Sequence, residues 1–118
     1  HGERIITQGE HNNHLYLVTS GMLTVSACNS QGVETVIDSY KRGDFFGEIS
    51  LIDEQPSPGN ITGVGNGVLH CLSRADLFLL LYTQPQIALA IMRKMAFELR
   101  AQIDFVTYAR ESLYEPQP

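Results

Sequence analysis

The chain has 118 residues, enough for one domain with a modest core and no more. With 43% hydrophobic and 18% charged residues, its balance is that of a globular chain and excludes a disordered one. A formal net charge of −5 excludes a nucleic-acid surface unless a local basic patch exists, and the eight Lys and Arg are scattered, with Lys41-Arg42 and Arg93-Lys94 as the adjacent pairs.

In chain order, Glu3 to Thr7 predicts a short β-branched strand stopped by Gln8-Gly9-Glu10. Leu15-Tyr16-Leu17-Val18 predicts a second, with Ser20-Gly21 as the turn after it, and Met22 to Cys28 a third. Val33 to Tyr40 predicts a fourth, because Thr35, Val36 and Ile37 supply β-branched residues. Short strands with closely spaced turn signals predict a mainly β chain, an antiparallel jelly-roll barrel of about eight strands. Cys28 and Cys71 lie far apart within strand-like runs, so two buried reduced thiols are expected rather than a disulfide. His11 and His14 precede the second strand and raise a metal-dependent, cupin-type enzyme as an alternative. That chemistry needs a carboxylate within Leu17-Val18-Thr19-Ser20 and a further histidine converging on the pair, and neither is evident, so no metal site is expected.

Arg42 to Thr62 holds the most specific signal. Gly47 lets the backbone turn sharply after Phe45-Phe46. Glu48 to Ile52 makes one apolar helical turn whose leading N–H groups have an anion-binding geometry. A Pro/Gly-rich loop, Gln55-Pro56-Ser57-Pro58-Gly59-Asn60, follows. Phe46-Gly47-Glu48-Ile49-Ser50-Leu51 resembles the phosphate-binding cassette of the cyclic nucleotide-binding domain family, the domain of catabolite activators and protein kinase A regulatory subunits. The likeness implies cyclic AMP or cyclic GMP, a small anionic ligand, as the molecule taken up, with no cofactor. It implies that Glu48 receives the ribose 2′-hydroxyl, with Phe46, Gly47, Ile49 and Ser50 completing the turn. The family's phosphate-clamping arginine falls at Ser57, and the backbone donor after it falls at Pro58, which has no N–H. Gly59 and Asn60 fill the following small positions. Loss of that arginine makes weak or lost cyclic-nucleotide affinity the expectation. The likeness covers nearly the whole chain, and its direct opening into a strand at His1-Gly2-Glu3 reads as an excised domain.

Gly63-Val64-Gly65-Asn66-Gly67 leads into strand-like Val68 to Leu72, not a helix, so it is no dinucleotide fingerprint. Asn66-Gly67 predicts a tight hairpin turn. The period then changes. Ser73-Arg74-Ala75-Asp76 has capping-box spacing ahead of a short helix, and Thr83-Gln84-Pro85 marks a break and a new helical start. From Pro85 to about Leu113 nothing stops a helix. Met92, Leu99, Val106 and Leu113, with Met95, Gln102 and Ala109 three residues on, form an a/d ladder broken at Gln102, while Ile91, Ile103 and Phe105 offer a wider stripe for packing on the chain's own barrel. The resemblance to catabolite activators, which dimerise through this segment, implies a parallel two-helix homodimer. Family comparison puts Gln102 or Ile103 against the nucleotide base. The expected organisation is a jelly roll over residues 1–73 with a hinge helix over 74–84, a long helix over 85–114 and a tail over 115–118.

No segment resembles a signal peptide or a membrane span, so a cytoplasmic domain is expected, with no membrane contact and no nucleic acid touched by this segment. The resemblance implies a regulatory sensor, not an enzyme. In it, pocket occupancy shifts the hinge near Leu77 to Pro85 and reorients the long helix. A ligand-independent dimerisation module is the remaining alternative.

Overall fold

The computed structural model describes residues 2–114, with side-chain surroundings for residues 2–103. Five strands and three helices run in the order β1 (Arg4–Ile6), β2 (His14–Cys28), β3 (Glu34–Lys41), β4 (Phe45–Phe46), α1 (Glu48–Asp53), β5 (Asn60–Ser73), α2 (Arg74–Thr83) and α3 (Pro85–Tyr114). The chain divides into two compact units, residues 1–79 and 80–118.

The sheet is antiparallel, in the order β1-β5-β2-β3, with β4 also paired to β2. Its spine is β2. One edge of β2 pairs with β5 along its length, from His14 opposite Ser73 to Ser26 opposite Asn60. The other edge takes β4 at Tyr16 and Leu17, then β3 from Met22 to Cys28.

This corrects the expectation of an eight-stranded closed barrel: the sheet has five strands and is open. The physical reason lies in the glycines, which bend strands here instead of ending them. The predicted second and third strands are one fifteen-residue strand, which passes through Ser20-Gly21 with Gly21 at φ 90°. The predicted Asn66-Gly67 hairpin is likewise interior to β5, where the register skips between Val64 opposite Met22 and Val68 opposite Ser20. A Cβ on Gly21 would stand 2.7 Å from the Gly67 Cα, so the two strands cross where neither carries a side chain.

Ile6, Val18, Leu23, Phe46 and Ile61 form the core, with Tyr16, Tyr40 and Leu69 packed against it. The Phe46 ring stacks on Tyr16 at 5.1 Å and on Tyr40 at 5.3 Å between centroids. Such aromatic pairs add about 0.5–1.5 kcal/mol each beyond their buried area. Cys28 and Cys71 are free, as expected, but exposed rather than buried.

The capping signal before α2 is realised: the Asp76 N–H donates to the Ser73 hydroxyl at 3.2 Å. Leu77 anchors the helix and is fully buried. The break at Gln84 and the restart at Pro85 also occur where the sequence puts them. The thirty residues of α3 correspond to a rod of roughly 45 Å. Among the described residues no single helix is long and apolar enough to cross a membrane.

Candidate functional site

The cassette runs from β4 through α1 to the start of β5. Gly47 is the N-cap of α1 at φ 94° and ψ −5°. A side chain is excluded there, because a Cβ would stand 2.5 Å from the His14 carbonyl oxygen and 2.8 Å from the Asn12 amide nitrogen. At the other end of α1, Glu54 adopts φ 58°, and its N–H donates to the Ser50 carbonyl at 3.0 Å. Glu48, Ser50 and Leu51 turn inward and are buried, Glu48 to 1% exposure, while Ile49 and Ile52 stay outside. A fully buried carboxylate is costly unless hydrogen-bonded, and among the described residues no buried side-chain polar atom lacks a partner.

The C-terminal limb of the cassette is tied down through Ser57, Gly59 and Asn60. The Ser57 N–H donates to the Glu10 carbonyl, and the Ser57 carbonyl accepts from the Gly9 N–H, both at 2.9 Å. The Ser57 hydroxyl donates to the Gly59 carbonyl, also at 2.9 Å. Gly59 passes so close to β2 that a Cβ would meet the Ser26 carbonyl at 2.8 Å. Asn60 accepts from the Gln8 N–H at 2.7 Å and donates to the Glu34 carboxylate at 3.1 Å. The same Glu34 oxygen accepts from the Ser26 hydroxyl and from Arg4 at 3.3 Å. The Ser26 hydrogen bond is the main cause that holds Glu34 below its ordinary pKa of 4.5; Arg4 and Asn60 act in the same sense, against desolvation.

One segment, the loop between β1 and β2, therefore brackets the whole cassette. Its first half, Gln8 to Glu10, binds the Ser57–Asn60 limb, and its second half carries Asn12, which donates to the Gly47 carbonyl at 3.1 Å. The Gln8 carboxamide also bonds the Cys28 backbone, accepting from its N–H at 2.7 Å and donating to its carbonyl at 3.2 Å. A further tie reaches α2. The Arg74 N–H donates to the Asn13 carbonyl at 3.2 Å, and its guanidinium meets Glu54 at 3.0 Å and lies 5.0 Å from the centre of the Phe78 ring.

Of the residues singled out in the sequence, Phe46 to Ser50 and Ser57 to Asn60 are thus brought into one neighbourhood, with Phe46 serving the core. Gln102 and Ile103 lie on α3 in the second unit and are exposed. On the same helix Met92 and Leu99 are each 57% exposed, Met95 is half-buried, and Val106, Ala109 and Leu113 fall outside the residues whose side chains are described. His11 and His14 join no cluster of metal-binding side chains among the described residues. Gln8, Asn12 and Glu34 were not singled out. The partners that tie them to the cassette stand far off in the chain, 52 residues for Gln8 to Asn60, 35 for Asn12 to Gly47 and 26 for Glu34 to Asn60, and no local spacing announces such pairs.

The signature of the cyclic nucleotide-binding domain matches residues 1–83. The cAMP-dependent protein kinase regulatory subunit of Emericella nidulans is 40% identical over 60 residues, which are 51% of this chain and 14% of that protein. Lysophospholipase NTE1 of Phaeosphaeria nodorum is 29% identical over 103 residues, 87% of this chain and 7% of that protein. Among solved structures, the catabolite activator protein of Thermus thermophilus superposes with a TM-score of 0.79 at 28% identity, over 91% of this chain and 52% of that one. This chain accordingly spans a minor part of the length of both curated relatives.

Proposed function

Because the chain belongs to the cyclic nucleotide-binding domain family, we propose that it is a regulatory module whose cassette takes a cyclic nucleotide only weakly. Its role is to sense and relay rather than to catalyse. In this reading Glu48 faces the ribose, and the Gly47–Ser50 turn and the Gly59–Asn60 backbone face the phosphate. Gln102 or Ile103 approaches the base.

One observation carries the weak affinity. At Ser57, where the family's arginine would stand, the N–H and the hydroxyl are both spent on internal carbonyls, and Pro58 offers no N–H at all. The Asn60 carboxamide accepts from the Gln8 N–H and donates to the Glu34 carboxylate. The limb therefore supplies no positive charge to an arriving phosphate, and its Ser57 hydroxyl and Asn60 amide are already bonded within the fold.

Occupancy is relayed through α2 to α3 and to a second copy of the chain. The apolar seam on α3 supports this step: Met92 and Leu99 recur seven residues apart and are more than half exposed. A ligand moves such an arrangement only by binding one state better than the other. Calorimetric titration with cyclic AMP and cyclic GMP tests the reading. Dissociation constants in the high micromolar range or above are expected, and submicromolar binding refutes it.

A further inference from the structure

The β1–β2 loop holds a residue with no role so far in ligand binding. The Asn12 carboxamide donates to two carbonyls, the nearby His14 at 2.7 Å and the distant Gly47 at 3.1 Å. Its oxygen faces the His14 N–H at 3.3 Å. Donation to His14 makes a compact local turn. Donation to Gly47 crosses 35 residues of sequence and lands on the peptide that opens the cassette helix.

That peptide has one hold from its own helix, because the N-cap carbonyl of Gly47 accepts the first intrahelical bond of α1, and the Asn12 donor adds a second from outside the helix. Gly47 sits at φ 94° and has no side chain to restrict it, and glycine populates positive and negative φ with similar ease. Loss of the Asn12 donor leaves a six-residue helix to oppose rotation about Gly47 ψ and Glu48 φ, the motion that turns the peptide plane over. The peptide is planar and trans, so its carbonyl and the Glu48 N–H point in opposite directions. A carbonyl held toward Asn12 therefore aims the Glu48 N–H away from the loop. It also fixes the backbone from which the buried Glu48 side chain departs. The contact is close: a Cβ on Gly47 would lie 2.8 Å from the same Asn12 nitrogen.

We propose that Asn12 is the positioning residue of the cassette, holding the Gly47–Glu48 peptide in the one orientation that presents Glu48 to a cyclic nucleotide. The ligand part rests on the reading of the cassette given above; the peptide part does not.

The test uses the full chain labelled with nitrogen-15, with Asn12→Asp, which keeps the acceptor for His14 but cannot donate to either carbonyl at neutral pH, and Asn12→Ala. Asn29→Ala removes a side chain that accepts from Gln31 and Val33 in the β2–β3 turn and serves as the control for general loosening. Both Asn12 variants should show exchange broadening or doubled resonances at Gly47 and Glu48, and Asn29→Ala should not. Titrated with cyclic AMP to millimolar concentration, Asn12→Asp should bind about tenfold more weakly than the wild type, a change of ~1.4 kcal/mol. Asn29→Ala should stay within about twofold, or ~0.4 kcal/mol. If the wild type binds neither cyclic AMP nor cyclic GMP, the ligand reading fails, while broadening confined to the Asn12 variants still upholds the positioning of the peptide. Folded Asn12 variants with sharp, unshifted Gly47 and Glu48 signals overturn it. Should the variants not fold, the wild type decides: its Asn12 carboxamide protons must exchange with solvent far more slowly than those of a free amide, and unprotected protons overturn the proposal.

Discussion

Restoring the missing charge is the sharpest test of the weak cassette. The perturbation is Ser57→Arg combined with Pro58→Ala. A buried charge pair that loses one partner weakens by about 2–5 kcal/mol, which at ~1.4 kcal/mol per tenfold corresponds to roughly thirtyfold to several thousandfold. Regaining the arginine should recover a good part of this, since a guanidinium–phosphate contact is charge-assisted and bidentate. The structure also sets a cost. Ser57 is 9% exposed and its hydroxyl holds the Gly59 carbonyl at 2.9 Å, a bond worth about 0.5–1.5 kcal/mol net. That cost falls on stability and not on the ligand contact. Two separate readings follow: affinity for cyclic AMP by calorimetry should rise by at least about tenfold, or ~1.4 kcal/mol. The melting temperature without ligand should drop by roughly 3–6 °C. Ser57→Arg alone should gain less, because Pro58 restricts residue 57 and withholds its own N–H. Arg74 is no substitute, since its guanidinium is already engaged with Glu54 and Phe78. A folded double variant that binds no better than the wild type would refute the reasoning.

Other outcomes are as definite. Gly47→Ala should destabilise the domain by more than about 2 kcal/mol in urea unfolding, because a Cβ meets the His14 carbonyl at 2.5 Å and φ is 94°; a loss under about 0.5 kcal/mol would show the turn to be adaptable. Glu34 has a lowered folded pKa, so its contribution is complete above the ordinary value of 4.5 and is lost as pH falls through the folded pKa. Glu34→Gln should therefore flatten the acid limb of the stability–pH curve, and an unchanged limb contradicts the assignment. Leu99→Glu should convert a dimer to a monomer in light scattering while the β circular dichroism signal persists, and a wild type already monomeric at tens of micromolar removes the dimer from the reading.

Much of this architecture was legible in the sequence because its signals are local. Gly47 beside Glu48, the Ser73 cap and the break before Pro85 each depend on residues a few positions apart, and all appear where expected. Strand count was misread because Ser20-Gly21 and Asn66-Gly67 carry turn chemistry. In each, glycine supplies a bend inside a continuous ladder, and only the facing strand decides between bend and turn. The cassette's sequence was equally plain, whereas the state of its donors was not. That Ser57 spends its N–H on Glu10 and Asn60 its amide on Glu34 depends on contacts 47 and 26 residues apart, beyond any periodicity.

The crossing of Gly21 and Gly67 limits how this sequence can drift. A Cβ on Gly21 would meet the Gly67 Cα at 2.7 Å and the Asn66 carbonyl at 2.8 Å, and one on Gly67 would meet the Ser20 carbonyl at 2.7 Å. Each obstacle is backbone, so no shrinking of a neighbouring side chain relieves either substitution. The two positions consequently have no compensating partner: in a saturation library both should tolerate glycine alone, with no second-site suppressor among side chains. Beside them Gly65, which has open space around its Cα, should accept Asn or Asp at its φ of 69°. The bend in the spine of the sheet is thus held by two residues that must each stay glycine independently.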